Sequence, residues 1–190
     1  METLLALDQA LFSVINQDLS NPTLDAIMPY WREKTTWIPL YIVIIVFAFR
    51  QWSWKVALSF LLFIAATVGI ADQVSSQWIK KSVERTRPCK AEALAEDIHL
   101  LIPCGSGYSF TSSHATNHFA VGIFIMLTLL KNKSWRWLML AWAGSIALGQ
   151  VYVGVHYPLD IFVGGVIGSL IGYGMVLGFG FLVGRLSFGV

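Results

Sequence analysis

Residues 151–183 read VYVGVHYPLDIFVGGVIGSLIGYGMVLGFGFLV. From Leu159 to Val183 the stretch holds one charged residue, Asp160, near its start. A bilayer-spanning helix needs about 20 mostly apolar residues, so this run predicts a membrane-spanning α-helix. Working outward, further apolar runs bounded by charges or turn residues lie at Thr35–Phe49, Trp54–Trp78, Ala115–Leu130 and Trp135–Val155. The run Thr35–Phe49 is short, but Trp37 and Tyr41 at one end and Arg50 at the other read as interfacial anchors. Of the 190 residues 56% are hydrophobic and only 13% charged, against about 25% charged in an average soluble domain. The expected fold class is therefore all-α: one integral membrane domain, a helical bundle of about five transmembrane helices over residues 35–183.

Residues 1–34 differ in kind. Leu4, Leu7, Leu11, Val14 and Ile15 share one helical face, while Asp8, Gln9, Gln17 and Asp18 interrupt the run. That is the pattern of an amphipathic helix lying on a membrane. Glu2 in place of basic residues, with Asp8 and Gln9 inside the apolar stretch, argues against a cleaved signal peptide. Asn21-Pro22-Thr23-Leu24-Asp25 supplies a cap, a proline at the first helical position and an early acid, so a second surface helix is expected to run to Trp31. Gly164, Gly168 and Gly172 form a small-residue strip on the last helix. Such a strip lets another helix approach closely; packing inside the bundle is the simpler reading, and a homodimer through this glycine-rich helix is the alternative.

Five spans put Arg50, Lys55, Lys131, Lys133, Arg136 and Arg185 on one side, all on short connections or at the end of the chain, with no acidic residue among them. The opposite side carries Arg32, Lys34, Lys80, Lys81, Arg85, Arg87 and Lys90 together with ten carboxylates, spread over long segments. Positive-inside bias acts through short loops, which places the first side in the cytoplasm. Cys89 and Cys104 both lie in the long loop on the other, external side. Disulfides persist in oxidising compartments, so a Cys89–Cys104 disulfide is expected, with two free thiols as the alternative. The net charge of +2 gives no indication of a nucleic-acid partner.

The residues unusual for a membrane protein gather on that external face: Lys80, Lys81, Arg85 and Arg87 after the second span, Ser112, Ser113 and His114 at the start of the third, and His156 with Asp160 between the fourth and fifth. Cations neutralise phosphate charge, and a helix N-terminus presents free N–H groups to an anion. His156 and Asp160 stand one helical turn apart. A carboxylate so placed can hold the imidazole in one tautomer, which makes His156 the nucleophile candidate and His114 the proton donor to the leaving group.

Lys80-x6-Arg87-Pro88, then Tyr108-Ser109-Phe110-Thr111-Ser112-Ser113-His114-Ala115, then Tyr152-Val153-Gly154-Val155-His156-Tyr157-Pro158-Leu159-Asp160 resemble the signature motifs of the type 2 phosphatidic acid phosphatase family of membrane lipid phosphatases. The resemblance covers about residues 35–183. It implies a bundle, usually of six spans, and hydrolysis through a phosphohistidine with neither metal nor cofactor. It also implies that Lys80, Arg87, Ser112 and Ser113 bind phosphate, that His114 is the general acid, that His156 is the nucleophile and that Asp160 is its partner. The loop 80–114 would then carry much of the site.

Three departures from the family pattern stand out. Thr111 and Ser113 replace the usual proline and glycine of the second motif. Gly149 and Gln150 stand where the third usually begins Ser-Arg, so Gln150 is left to donate to phosphate without charge or fork. Lys81 or Arg85 could compensate. The third departure is the amphipathic first segment, where the family usually has a span. Asp72, in an apolar span with Ser76 and Lys80 at successive four-residue steps, and Asn117, near His114, are candidate supports. His118 reads as a packed histidine and His99 as a solvent-facing one, while Leu94, Ile98 and Leu101 give Ala91–Leu101 the look of a small amphipathic lid.

The expected function is hydrolysis of a phospholipid or polyprenyl phosphate or diphosphate by a multi-pass protein of the inner (cytoplasmic) membrane with its site on the periplasmic, external face. Undecaprenyl diphosphate, phosphatidylglycerophosphate, phosphatidic acid and lipid A phosphate are the candidates the resemblance implies. The alternatives are a lipid phosphotransferase and a non-catalytic lipid-phosphate binding or transport protein.

Overall fold

The computed structural model describes residues 2–94 and 96–187. Ala95, within the expected lid, and the Arg185 side chain lie outside the described residues. The fold is an all-α bundle. Helix α1 (Glu2–Ser13) runs into a π-helical turn, Val14–Asp18. Helix α2 (Pro22–Trp31) starts as its sequence predicts, with Pro22 in the first turn and the Asn21 side chain accepting from the Leu24 amide at 3.0 Å. A 3₁₀ turn, Lys34–Trp37, leads into α3 (Ile38–Gln51). Helix α4 (Trp54–Asp72) continues through a π-helical segment, Gln73–Ile79, into α5 (Lys80–Val83). After the long loop come α6 (Ser113–Leu127), α7 (Leu138–Tyr152) and α8 (Pro158–Ser187).

Two of these helices are long and apolar enough to cross a membrane: Trp54–Val83, 30 residues, and Pro158–Gly184, 27 residues. Only 22% and 17% of their most apolar windows are buried, so neither is the sequestered core helix of a soluble protein. The expectation of five spans is met by two helices of membrane length, because α3, α6 and α7 hold 14, 15 and 15 residues. Each stops for a local reason. Trp52 turns extended after α3. Thr128 leaves helical geometry after α6 while its hydroxyl donates back to Phe124 O. Helix α7 ends at Val153 and Gly154, the latter at φ +87°, a conformation that favours glycine.

Helix α6 sits at the centre, packed on α8, α7 and α4. The glycine strip makes the α6–α8 contact. A Cβ at Gly164 would lie 2.9 Å from Ser112 O, at Gly168 2.2 Å from Thr116 O, and at Gly172 2.3 Å from Ala120 O. The strip is therefore covered by this chain's own α6, and a homodimer through it has no free surface. Below this contact Phe60, Phe124 and Phe179 form an aromatic core, with ring centroids 5.3–6.0 Å apart. The α3–α4 and α6–α7 connections meet at the far end, where Gln51 Nε2 donates to Leu129 O at 3.2 Å and Lys133 lies 5.8 Å from the Phe47 ring.

The N-terminal helices are not merely laid on the surface. Leu4, Leu7, Leu11 and Val14 of α1 and its π turn do face outward, but Asp8 and Phe12 are buried. Asn16 is fully buried, its Nδ2 donating to His99 O at 2.8 Å and Tyr152 O at 2.7 Å, and its Oδ1 accepting from His99 N at 2.9 Å. His99 is correspondingly only partly solvent-facing: its side chain is 35% exposed and its Nε2 meets Asp25 Oδ1 at 3.0 Å. Leu94 and Ile98 pack on Phe12, Val151 and Tyr157, so these two expected lid residues belong to a small core.

Gly168→Ala is expected to destabilise the protein by about 2 kcal/mol or more, because its methyl meets α6 backbone that cannot move aside. Gly174→Ala, with nothing within 4 Å of the added carbon, is expected to be neutral or to stabilise by up to about 1 kcal/mol through helix propensity. Unfolding of the two variants in detergent compares them.

Candidate functional site

The turn at Gly154 carries the chain from α7 into α8 and turns His156 inward. A Cβ at Gly154 would lie 3.2 Å from His99 O, so the loop crosses this turn at backbone distance. His156 and Asp160 are both buried. Asp160 Oδ2 accepts from the Tyr157 amide at 2.9 Å and from Ser109 Oγ, and lies 3.4 Å from His156 Nδ1. Its Oδ1 accepts from Arg85 Nη1 at 2.7 Å. The other arm of that guanidinium donates to Asp8 Oδ2 at 2.6 Å, and Asp8 Oδ1 in turn caps the Leu159 amide at 2.7 Å. Arg85 also lies 4.0 Å from the centroid of the Tyr157 ring. It is thus spent on two carboxylates and does not stand in for the arginine missing at position 150.

On the opposite edge of the imidazole, Arg87 Nη1 lies 3.3 Å from His156 Nε2 and 3.1 Å from Val155 O, while its Nε donates to Gly107 O at 3.2 Å. Guanidinium nitrogens only donate. Nε2 is therefore the unprotonated nitrogen, and the proton sits on Nδ1, toward Asp160. Burial pushes the His156 pKa down to about 4 against the opposing pull of Asp160, with Lys80 and Arg87 lowering it further. Burial likewise lowers the Arg87 pKa, Asp160 opposes this, and the charge of Arg32 adds to the lowering. The loop bearing Arg87 is closed by the Cys89–Cys104 disulfide, with Cα atoms 5.9 Å apart, as the sequence predicts.

The third side of the site is the start of α6. Ser112 caps this helix, its Oγ accepting from the Ala115 amide at 3.4 Å, and its own amide donates to Asp160 O at 3.1 Å. Among the described residues the Ser113 and His114 amides carry no hydrogen bond, which leaves a helix N-terminus with two donors available to an anion. Ser113 Oγ meets Ser76 Oγ at 2.8 Å, and Ser76 donates to Asp72 Oδ1 at 3.0 Å. Asp72 is thus linked to the site through two hydroxyls. Lys80, delivered by the π-helical segment, donates to Tyr108 O at 3.2 Å. Lys81 is exposed and outside the site. His118 Nδ1 lies 2.7 Å from His114 O, and its ring stands 5.1 Å from that of Trp142.

From His114 and Ser113 a cavity of about 840 Å³ runs between α3, α4, α6 and α7. Its mouth is polar, with Glu33, Lys34, Asp72 and Asn117; its walls are apolar, among them Ile38, Ile45, Ile64, Val68 and Val121. Gln150 is fully buried and accepts at Oε1 from Arg32 Nε at 3.0 Å. Three of these residues escape the sequence reading. Asp8 looks like an interruption in an amphipathic face, Ser109 is one of several hydroxyls in its motif, and Arg32 is one of two cations before α3. Their only sequence signal is a charged or hydroxyl residue beside an apolar run.

A buried imidazole between a carboxylate and a guanidinium, a lysine and an open helix N-terminus, all at the head of an apolar cavity in a helical bundle, make a cationic cleft with the chemistry to take an anion, in a membrane-type protein. Residues 56–183 match the model of the PAP2 superfamily, and the chain belongs to that superfamily. It is 32% identical over 178 residues to a lipid A 4'-phosphatase of Bacteroides thetaiotaomicron, covering 91% of this chain and 77% of the relative. It is 28% identical to a lipid A 4'-phosphatase of Porphyromonas gingivalis, over 91% and 73% of the two chains. The crystal structure of Aquifex aeolicus LpxE superposes with a TM-score of 0.64 at 25% identity, covering 90% of this chain and 94% of that one. A Bacillus subtilis PAP2-type phosphatidylglycerolphosphate phosphatase shares the fold, with a TM-score of 0.70 at 22% identity over 94% and 87% of the chains.

Arg85→Met leaves Asp8 and Asp160 buried without their shared cation, and is expected to destabilise the fold by about 3 kcal/mol or more. Lys81→Met, at an exposed position, is expected to change stability by less than about 0.5 kcal/mol. Thermal unfolding of both variants beside the parent chain checks the contrast.

Proposed function

We propose that the chain is an integral membrane lipid phosphatase that hydrolyses a lipid phosphate or diphosphate through a phosphohistidine. The observation that carries this reading is the orientation of His156, with Nδ1 toward Asp160 and Nε2 toward Arg87 at 3.3 Å. The nitrogen lone pair thereby faces the cations that gather a phosphate, and it is freed for attack when Arg87 turns from Nε2 to the phosphate oxygens. Lys80, Arg87, Gln150 and the Ser112–Ser113 start of α6 hold the phosphate. Nε2 attacks phosphorus, the bond to the leaving oxygen breaks, and His114 gives that oxygen a proton. Water then attacks the phosphohistidine, His114 takes up its proton, and phosphate and free His156 are released. Asp160 keeps the imidazole in the reactive tautomer and balances its charge.

The adjoining cavity supports a lipid substrate, with the headgroup at His114 and an acyl chain along Ile38, Ile64 and Val68. The two lipid A 4'-phosphatases among its relatives put phosphorylated lipid A first among substrates to test. An undecaprenyl-diphosphatase of Sulfolobus acidocaldarius, 27% identical, puts polyprenyl diphosphates next.

We also propose that five helices cross the membrane. With its 3₁₀ prelude of four residues, α3 reaches about 29 Å and α7 about 30 Å, close to the ~30 Å hydrocarbon thickness. Helix α6 is enclosed by its neighbours. The site then faces the periplasm, opposite the cytoplasmic loops of Arg50, Lys55, Lys131, Lys133 and Arg136.

Phosphate release from lipid A, undecaprenyl diphosphate, phosphatidylglycerophosphate and phosphatidic acid tests the reading. At least one is expected to be hydrolysed, unaffected by chelator, with His156→Ala reducing the rate by about 10³-fold or more. Survival of activity in His156→Ala would refute the nucleophile, and binding without turnover would identify a lipid-phosphate binding protein instead.

The pH dependence follows from the depressed His156 pKa. The neutral imidazole is the reactive form, so kcat/KM is expected to hold as pH falls through 6.5 and to decline only toward about 4. An acid limb near 6.5 that stays in place when the substrate is changed, and so does not arise from the phosphate's own second ionisation, would count against a buried nucleophile.

A further inference from the structure

The third motif lacks its arginine, yet a guanidinium stands beside the position. We propose that Arg32, at the end of α2, supplies the phosphate-binding charge that Gln150 cannot, so that one residue's task is divided between two segments of the chain. The assignment rests on the phosphatase reading above for the identity of the anion, and on the following geometry for everything else.

Arg32 Nε donates to Gln150 Oε1 at 3.0 Å, and its Nη1 donates to Glu33 Oε1 at 2.7 Å. Nη2 carries no hydrogen bond among the described residues. The Arg32 side chain is only 12% exposed. With Oε1 fixed by Arg32, the Gln150 amide nitrogen is left buried with no partner. A buried unpaired donor is costly, and a phosphate oxygen is the acceptor that these two neighbouring donors fit. Gly149 completes the arrangement, because a Cβ there would already touch Arg32 Cβ at 3.5 Å and Met28 Sδ at 3.8 Å. Position 149 lies directly against the Arg32 side chain at the end of α2. The two departures from the family pattern, at 149 and 150, thus both face Arg32: one lies in contact with its side chain and the other accepts its hydrogen bond.

The electrostatics agree. The charge of Arg32 acts on Arg87 and on His114, two residues of the phosphate site proposed above. Arg32 and Arg87 repel each other, and a phosphate between them converts that repulsion into binding. The guanidinium is also pre-positioned. Helix α2 is held to α7 by Trp31 Nε1 donating to Ser145 Oγ at 2.9 Å and by Tyr152 Oη donating to Asp25 Oδ1 at 2.7 Å.

The test compares the full-length parent chain with Arg32→Gln, Gln150→Arg in the Arg32→Gln background, and His156→Ala, all in detergent. Each is titrated with orthovanadate as a phosphate analogue, assayed on the lipid panel, and checked for its thermal midpoint. Arg32→Gln is expected to weaken vanadate binding by about 10- to 100-fold with a near-parent midpoint. Gln150→Arg added to it is expected to recover at least tenfold of that loss by returning a guanidinium to the same place. Unchanged vanadate affinity in Arg32→Gln overturns the proposal. So does a loss accompanied by a collapsed midpoint that Gln150→Arg fails to repair, which would make Arg32 a structural residue. If the parent chain binds vanadate through Arg32 but hydrolyses no lipid, the phosphatase reading fails and the Arg32 assignment stands. If it hydrolyses lipid and Arg32→Gln does so equally, the assignment alone fails.

Discussion

Asp160 places a fully buried carboxylate at the first turn of α8, and a buried charge persists only when its oxygens are filled. The filling groups come from far apart in the sequence: Ser109 and Arg85 from the long loop, Tyr157 from the turn before α8, and His156 one turn earlier. Even its main-chain carbonyl is used, accepting from the Ser112 amide that opens α6. Asp160 therefore fixes the imidazole, the loop and the N-terminus of α6 relative to one another. Arg85 then passes the constraint outward to Asp8, which ties α1 to the start of α8.

That junction requires α6 and α8 to run close together from their first turns. Lipid gives helices no hydrophobic reason to associate, so backbone contact through small residues has to supply the attraction. The glycines at 164, 168 and 172 bring α8 against the carbonyls of Ser112, Thr116 and Ala120, and the first of these is the cap of α6. The same strip that packs the bundle therefore sets where the Ser113 and His114 amides point. Fold stability and anion geometry share one contact here, and the π-helical segment after α4 does similar work for Lys80 by shifting its register on an otherwise regular helix.

What the sequence makes legible is what is local. The i,i+4 pair His156 and Asp160, the capping signal at Asn21-Pro22 and the paired cysteines depend on short spacings or on counting and are found where expected, whereas of the five apolar runs two fall in helices of membrane length. Asp8, Arg32 and Ser109 are illegible because the partners that tie them to the site lie 51 to 151 residues away. No periodicity links α1 to α8 or α2 to α7. The amphipathic pattern of α1 even points the wrong way for Asp8: a carboxylate that interrupts an apolar stripe reads as solvent-facing, whereas here the leucines face out and the acid faces in. In a membrane-type protein the interior can be the more polar side, and rules taken from soluble helices invert.

That inversion explains how the N-terminal helices attach beside Asp160 and Gln150. Beside the buried Phe12, their inward groups include polar ones whose bonds are specific: Asp8 to Arg85 and Leu159 N, Asn16 to His99 and Tyr152 O, Asp25 to Tyr152 and His99, Arg32 to Gln150. Their outward groups are the apolar Leu4, Leu7, Leu11 and Val14. A segment built this way gains from an apolar exterior on one side and is held in register by hydrogen bonds on the other. Its attachment is therefore geometric as well as adhesive. Hydrogen bonds and ion pairs with fixed directions hold Asp8 and Arg32 at set positions beside Asp160 and Gln150, a placement that apolar contact alone does not enforce.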